Sequence, residues 1–128
     1  MRERDLCFTP ATELVRLFRA RKVSPLEVMQ AVLGRIDQVN PAVNAYVTVA
    51  REGALRAARA ATNVLKRGAK LRPLHGVPVS IKDLTPTKGI RTTWGSKIFE
   101  QHVPEEDALI VERLKAAGSR PSRKSRPT

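Results

Sequence analysis

The sequence has 128 residues, the length of one small domain, and it carries 24 Lys and Arg against 12 Asp and Glu, a formal net charge of +12. A single cysteine, Cys7, excludes an internal disulfide, and His75 and His102 lack the spacing of metal ligands, so we expect no metal and no cofactor. No apolar run approaches the ~20 residues of a membrane helix, and the opening run MRERDLCF lacks the apolar stretch of a secretory signal. We therefore expect a cytoplasmic protein without a membrane partner.

Three amphipathic helices are predicted in the first half of the chain. Apolar residues recur at helical spacing over residues 11–18, after a Thr-Pro pair typical of a helix start, and this helix should end near Arg21. The run SPLE at 24–27 is a capping box with proline at the first helical position, and Asn40-Pro41 should end the second helix. A third helix should cover residues 51–67 and end at Gly68, after a brief apolar run at 45–49 that suits a short strand.

The positive charge raises the question of a nucleic-acid partner, because cationic side chains release counterions from phosphates. The third helix carries a basic face made of Arg51, Arg56, Arg59, Lys66 and Arg67. Such a face could dock an acidic partner, a tRNA or an anionic membrane, but it is more often simply solvated. None of the five aromatic residues is interleaved with a basic run, so stacking on bases is poorly provided for. We do not expect nucleic-acid binding.

The stretch LHGVPVSIKDLTPTKGIRTTWGS combines a turn, a strand and a polar loop. Between Val77 and Ile81, apolar residues alternate with Pro78, Ser80 and Lys82 in the period of a β-strand, which predicts one clear strand here. Pro78 cannot donate to a ladder hydrogen bond, so the first part of this strand should lie at a sheet edge or at an irregular start. Ligands of open α/β sheets bind beyond the carboxyl ends of strands. Lys82 is therefore the candidate functional residue, although a lysine at a strand end is by itself usually a solvated charge.

The chain ends in a helical pattern followed by a basic segment. Acidic residues at 105–107 suit the first turn of a helix and Gly118 suits its end. A helix after a strand implies a crossover to a second parallel strand. Residues 119–128 contain no apolar residue, so we expect no such strand and instead a disordered basic tail. The predicted fold is α/β and helix-rich, with an incomplete sheet.

Several of these runs resemble the amidase signature enzymes. LHGVPVSIKD, the following Lys88-Gly89 pair and TTWGS are similar to the family's opening motif. SPLEVMQAVLGRIDQVNPAVNAYV resembles the helical region before that motif, and PEEDALIVERLKAAG resembles the helix after it. The resemblance implies that residues 1–118 are the N-terminal part of an amidase signature domain, with residues 119–128 outside the pattern. A frameshift after Gly118 would explain the change, because an offset reading frame can encode Arg-Val-Pro-Val-Gly-Lys-Ala.

The resemblance also implies a chemistry. The family hydrolyses amides with a Ser-Ser-Lys triad, and Lys82 matches its lysine, which acts as general base through a bridging serine. Thr92, Thr93, Ser96 and Asp83 are expected to shape the loop rather than to touch the substrate. The 128 residues contain no Gly-Gly-Ser-Ser run. We therefore expect the isolated chain to be inactive, with a small-molecule amide as the substrate of a full-length relative.

Two alternatives remain open. Within the family, the chain could correspond to a subunit of a tRNA-dependent amidotransferase. Outside it, the chain could be a small basic binding protein that uses part of the fold to bind RNA or a full-length amidase. The sequence does not indicate the oligomeric state.

Overall fold

The computed structural model describes residues 2–125, which form five α-helices and one three-stranded sheet. The prediction of a helix-rich α/β fold with a small sheet is confirmed. The helices are α1 (Glu3–Cys7), α2 (Ala11–Arg19), α3 (Pro25–Val43), α4 (Arg51–Lys66) and α5 (Leu109–Ala116). The strands are β1 (Tyr46–Val49), β2 (Pro78–Lys82) and β3 (Arg120–Ser125), and a 3-10 helix covers Lys97–Phe99.

The capping box at the start of α3 is confirmed. The Glu27 backbone N–H donates to Ser24 Oγ at 3.1 Å, and the Ser24 backbone N–H donates to Glu27 Oε2 at 2.7 Å. The predicted end of this helix at Asn40-Pro41 is wrong, because α3 continues through Pro41 to Val43 and ends at Asn44 in a left-handed conformation. Proline removes one helical hydrogen bond, but the final turn of α3 is exposed, where water can replace that bond.

The apolar core has two parts that share α3. On one side, α3 packs against α1 and α2, and the most buried side chains there are Phe18 and Val28. On its other side, Met29 and Leu33 pack against Ala54 and Ala58 of α4. Met29 is therefore a core residue, as its place in an apolar stripe predicts. Tyr46 and Val49 of β1 pack against this second part of the core.

The sheet departs most from the sequence-based expectation. Its strand order is β1-β3-β2, with β3 parallel to β2 and antiparallel to β1. The prediction of a disordered tail is wrong for residues 120–125, because they form the middle strand. Residues 126–128 lie outside the described part of the chain. Backbone groups pair whatever the side chains are, so a polar strand can occupy this place. Pro121, which lacks an N–H, precedes the register shift between β3 and β2, a position that proline tolerates.

The edge position of β2 and the end of α5 are confirmed, but the start of α5 is not. Among the described strands β2 pairs on one side alone, which accommodates Pro78. Gly118 has a φ of 99° just after α5, as a residue at C′ should. The acidic residues at 105–107 precede the helix instead of forming its first turn. Asp107 has another task, since its carboxylate accepts from the Lys88 backbone N–H at 2.6 Å.

Candidate active site

Lys82 is the last residue of β2, as predicted, and its side chain is exposed. Its neighbour Ile81 is 6% exposed, so the strand's end alternates between a buried and an exposed face. Ser80 shares the face of Lys82 by the same period, and its Oγ is buried without a hydrogen-bond partner within residues 2–125. The face of β2 that carries Lys82 thus holds a hydroxyl that the described residues do not satisfy.

Asp83, directly after the strand, fixes the loop that returns over it. Its side chain is fully buried, and its carboxylate accepts from the Thr93 backbone N–H at 3.0 Å and from Thr93 Oγ1. The Trp94 backbone N–H donates to the Asp83 carbonyl at 3.0 Å. Thr92 is also fully buried, and Ser96 Oγ caps the 3-10 helix by accepting from the Ile98 backbone N–H at 3.2 Å. These contacts are those of residues that shape a loop.

An open cleft of about 540 Å³ lies beside this loop. Arg91 forms its wall by joining the loop to β1: Nε donates to Thr48 Oγ1 at 3.2 Å and Nη1 donates to the Glu100 carbonyl at 2.8 Å. Asp83 contributes to the lining, whereas Lys82 does not. The lining residues are Val47, Asp83, Arg91, Thr93, Gly95, Ser96, Lys97 and Glu100. The arrangement offers polar groups of both signs but no serine pair.

Lys124 is the residue of this region that sequence reasoning missed. It belongs to β3, it is fully buried, and its Nζ donates to Thr87 Oγ1 at 2.9 Å and to the Thr85 carbonyl. Burial lowers the pKa of Lys124 to about 8, and the carboxylates of Asp83 and Asp107 act in the opposite direction. No periodic pattern marks a buried lysine, so only the strand pairing reveals it.

Residues 2–125 show neither a metal-binding cluster nor a membrane-spanning helix. No group of three or more His, Cys, Asp or Glu side chains comes together in this part of the chain. None of its helices is both long enough and apolar enough to cross a bilayer. His75 and His102 lie apart: His75 Nε2 is 2.8 Å from the Ala61 carbonyl, whereas His102 stacks on Trp94.

Comparison with known families identifies the family of this chain. The family model for amidases matches residues 27–124, which include β2, Lys82 and most of β3. The chain belongs to the amidase family. The resemblance of the sequence to amidase signature enzymes is thereby confirmed.

Other amidase-family proteins match this chain over most of its length. A glutamyl-tRNA(Gln) amidotransferase subunit from Carboxydothermus hydrogenoformans is 45% identical over 90% of the chain and 24% of its own length. The acylamidase of Rhodococcus erythropolis is 40% identical over 92% of the chain and 25% of its own length. A crystal structure of an amidase superposes with a TM-score of 0.83 at 34% identity, over 92% of this chain and 27% of the other. The chain thus spans about a quarter of the length of these relatives.

Proposed function

We propose that this chain supplies the lysine base of an amide hydrolase, with Lys82 in that role. The observation that carries the proposal is the position of Lys82 at the carboxyl end of a strand with a parallel neighbour, inside the segment that the amidase model matches. In the family's Ser-Ser-Lys scheme the lysine takes a proton from a bridging serine, which activates the nucleophilic serine. The amide is then cleaved to an acid and ammonia through an acyl-enzyme.

We also propose that the 128-residue chain is inactive on its own. Lys82 is exposed here, so the described residues do not enclose a site from which water is excluded around it. A positioned general base contributes ~10²–10⁴-fold when it reaches the proton that it removes. One serine would deliver that proton and another would attack the amide. This sequence contains no Gly-Gly-Ser-Ser run to provide them. Removing one oxyanion donor typically costs a further ~10²–10³-fold.

A first test uses the chain itself. The purified protein is offered a panel of short aliphatic and aromatic amides, and ammonia release is compared with that of Lys82→Ala. We expect no release above the variant's level for any amide. Turnover that disappears in Lys82→Ala would contradict the inactivity of the isolated chain.

A second test asks whether Lys82 can act as the base when the rest of a domain is present. Residues 9–125 replace the matching segment of the Rhodococcus acylamidase, which is 40% identical to this chain. We expect the chimaera to hydrolyse amides and Lys82→Ala to lower kcat by at least ~10²-fold. Lys66→Ala, which removes another exposed lysine at the end of α4, is the matched control and should leave kcat unchanged. Equal activity of Lys82→Ala and the parent chimaera would overturn the role of Lys82.

A subunit of a tRNA-dependent amidotransferase is the second candidate, favoured by the 45% identity to the Carboxydothermus protein. The two candidates differ in the fate of the ammonia: both pass the acyl group to water, but a hydrolase releases the ammonia, whereas an amidotransferase delivers it to a tRNA-bound substrate. The same segment is therefore placed in the Carboxydothermus protein, which is assayed together with its partner subunits. Function in that setting alone, and not in the acylamidase, would favour the second candidate.

The small basic binding protein is weakened by one contact. Arg51, at the end of the basic face, forms an ion pair with Asp37 of α3. We expect no salt-dependent RNA mobility shift. A shift that is abolished by replacing Arg51, Arg56 and Arg59 together would support that alternative instead.

A further inference from the structure

We propose that Lys124 is a positioning residue that holds the turn carrying Lys82. The inference rests on the proposed role of Lys82 as the base, and it assigns a task to a buried lysine that the amide chemistry leaves unused. Lys124 lies inside the segment that the amidase model matches.

A short chain of hydrogen bonds connects the two lysines. The Thr85 backbone N–H donates to the Lys82 carbonyl at 3.0 Å, which closes the turn after β2. The Thr85 carbonyl in turn accepts from Lys124 Nζ. Thr87 reinforces the same point, since its Oγ1 accepts from Lys124 Nζ at 2.9 Å and lies 3.2 Å from the Thr85 carbonyl, to which it can donate. The turn is therefore fixed at two points: the Thr85 N–H bonds the Lys82 carbonyl, and the Thr85 carbonyl bonds Lys124.

The strand register shows that this influence passes through the backbone and not between the two side chains. Lys124 is paired with Ile81, and Lys82 is paired with Ser125. Residues paired in a parallel ladder share a face, and successive residues alternate. Lys124 thus lies on the buried face with Ile81, whereas the Lys82 side chain lies on the opposite, exposed face. Lys124 touches no reacting atom by this route, so its role is to position another residue.

The contacts of Lys124 are better suited to orienting the turn than to stabilising the fold. Carboxylates of Asp83 and Asp107 balance its charge, but its hydrogen bonds go to the turn. Desolvation of the Lys124 ammonium outweighs the attraction of these two carboxylates, since the pKa of Lys124 is lowered to about 8, so an apolar side chain of similar volume removes a net electrostatic cost. Lys124→Met should therefore keep the fold while releasing the turn. A residue needed only for stability would behave in the opposite way.

The first test measures the turn in the full 128-residue chain by amide hydrogen exchange. We expect Lys124→Met to speed exchange of the Thr85 amide about tenfold, with exchange within α3 unchanged. Lys115→Met is the matched control, because it removes a lysine that pairs with Asp107 at 2.8 Å on the other side of the loop. If Lys124→Met also loses protection in α3, exchange at Thr85 is measured in Thr87→Val instead. This variant removes one acceptor of the Lys124 hydrogen bonds and leaves the cation in place. Unchanged exchange at Thr85 in the folded variant would overturn the proposal.

The second test separates positioning from stability in the acylamidase chimaera. Lys124→Met should lower kcat about tenfold or more with KM unchanged, while the unfolding midpoint stays level or rises. A fall in kcat that follows a fall in the midpoint would indicate a merely structural role and reject positioning. If the chimaera is active and sensitive to Lys82→Ala but indifferent to Lys124→Met, this inference fails alone. If Lys82→Ala has no effect, the proposed function fails, and the exchange measurement still reports on the turn.

Discussion

In the layer formed by α2, α3 and α4 the fully buried side chains are apolar, whereas at the carboxyl end of β2 and β3 they are polar. Phe18 and Val28 are at most 1% exposed in the first region, and Asp83 and Lys124 are fully buried in the second. Apolar packing is non-directional and scales with area, so it supplies stability. Hydrogen bonds from buried polar groups contribute less net free energy but fix directions. The helical layer therefore supplies stability, and the polar end of the sheet fixes the orientation of the groups there.

The largest effect should come from opening a cavity in the helical layer. Phe18→Ala removes a ring that is 1% exposed, and we expect a loss of about 3–5 kcal/mol in the free energy of unfolding. Phe8→Ala, which truncates a ring that is 68% exposed, should cost about 0.5 kcal/mol or less. Urea denaturation followed by circular dichroism measures both. Similar losses for the two variants would show that the helical layer does not carry the stability.

The next effect tests the contact between the helical layer and the turn that precedes β2. Gly76 has a φ of 76°, and a Cβ there would lie 2.6 Å from Pro25 Cγ at the start of α3. Gly76→Ala should cost about 3 kcal/mol, from the left-handed backbone together with overpacking. Gly89 is the matched control, with a φ of 75° and nothing within 4 Å of an added Cβ. Gly89→Ala should cost only about 1 kcal/mol. Equal losses in the same denaturation assay would show that Pro25 gives way and that the turn before β2 packs loosely on α3.

The smallest effect belongs to the polar region and depends on pH. The pKa of Lys124 is lowered to about 8 in the folded protein, from 10.5 in an unfolded chain. Between these values the unfolded state binds more protons, so stability should rise with pH. We expect the chain to gain roughly 2 kcal/mol from pH 8 to pH 10 relative to Lys124→Met, in which this contribution is absent.

The variant is also the control for every other group that titrates in this range. The carboxylates of Asp83 and Asp107 face Lys124 and are present in both the parent and the variant, so they do not change the sign of the difference. Parallel stability curves for the parent and Lys124→Met would contradict a buried, destabilised ammonium.

Local signals in the sequence were enough for the features that depend on neighbouring residues. The capping box at Ser24 needs only residues three apart, and the strand that ends at Lys82 needs only an alternation of period two. The glycine after α5 was equally predictable from its place. In each case the physical cause lies within a few residues of the signal.

The missed features depend on partners far along the chain. A polar strand such as β3 has no hydrophobic signal, because its position is decided by backbone pairing with β1 and β2. The sequence predicted Asp107 in the first turn of α5. Asp107 instead precedes this helix, and it accepts hydrogen bonds from the Lys88 backbone N–H and the Lys115 side chain. Lys124 could not be singled out, since its partners at 85 and 87 become neighbours only when β2 and β3 pair. The position of Lys82 at the end of β2 was therefore predictable, whereas the contacts of Lys124 were not.

The strand order β1-β3-β2 has a consequence for synthesis on the ribosome. Both flanking strands leave the exit tunnel before the strand that separates them, so neither can pair within this sheet until residues 120–125 emerge. Contacts between residues distant in sequence form slowly because a long loop must close first. During that interval the nascent chain exposes two unpaired strand edges, which are templates for aggregation and binding sites for chaperones. The newly made protein therefore passes through a stage in which every described helix has been synthesised and the sheet has not yet formed.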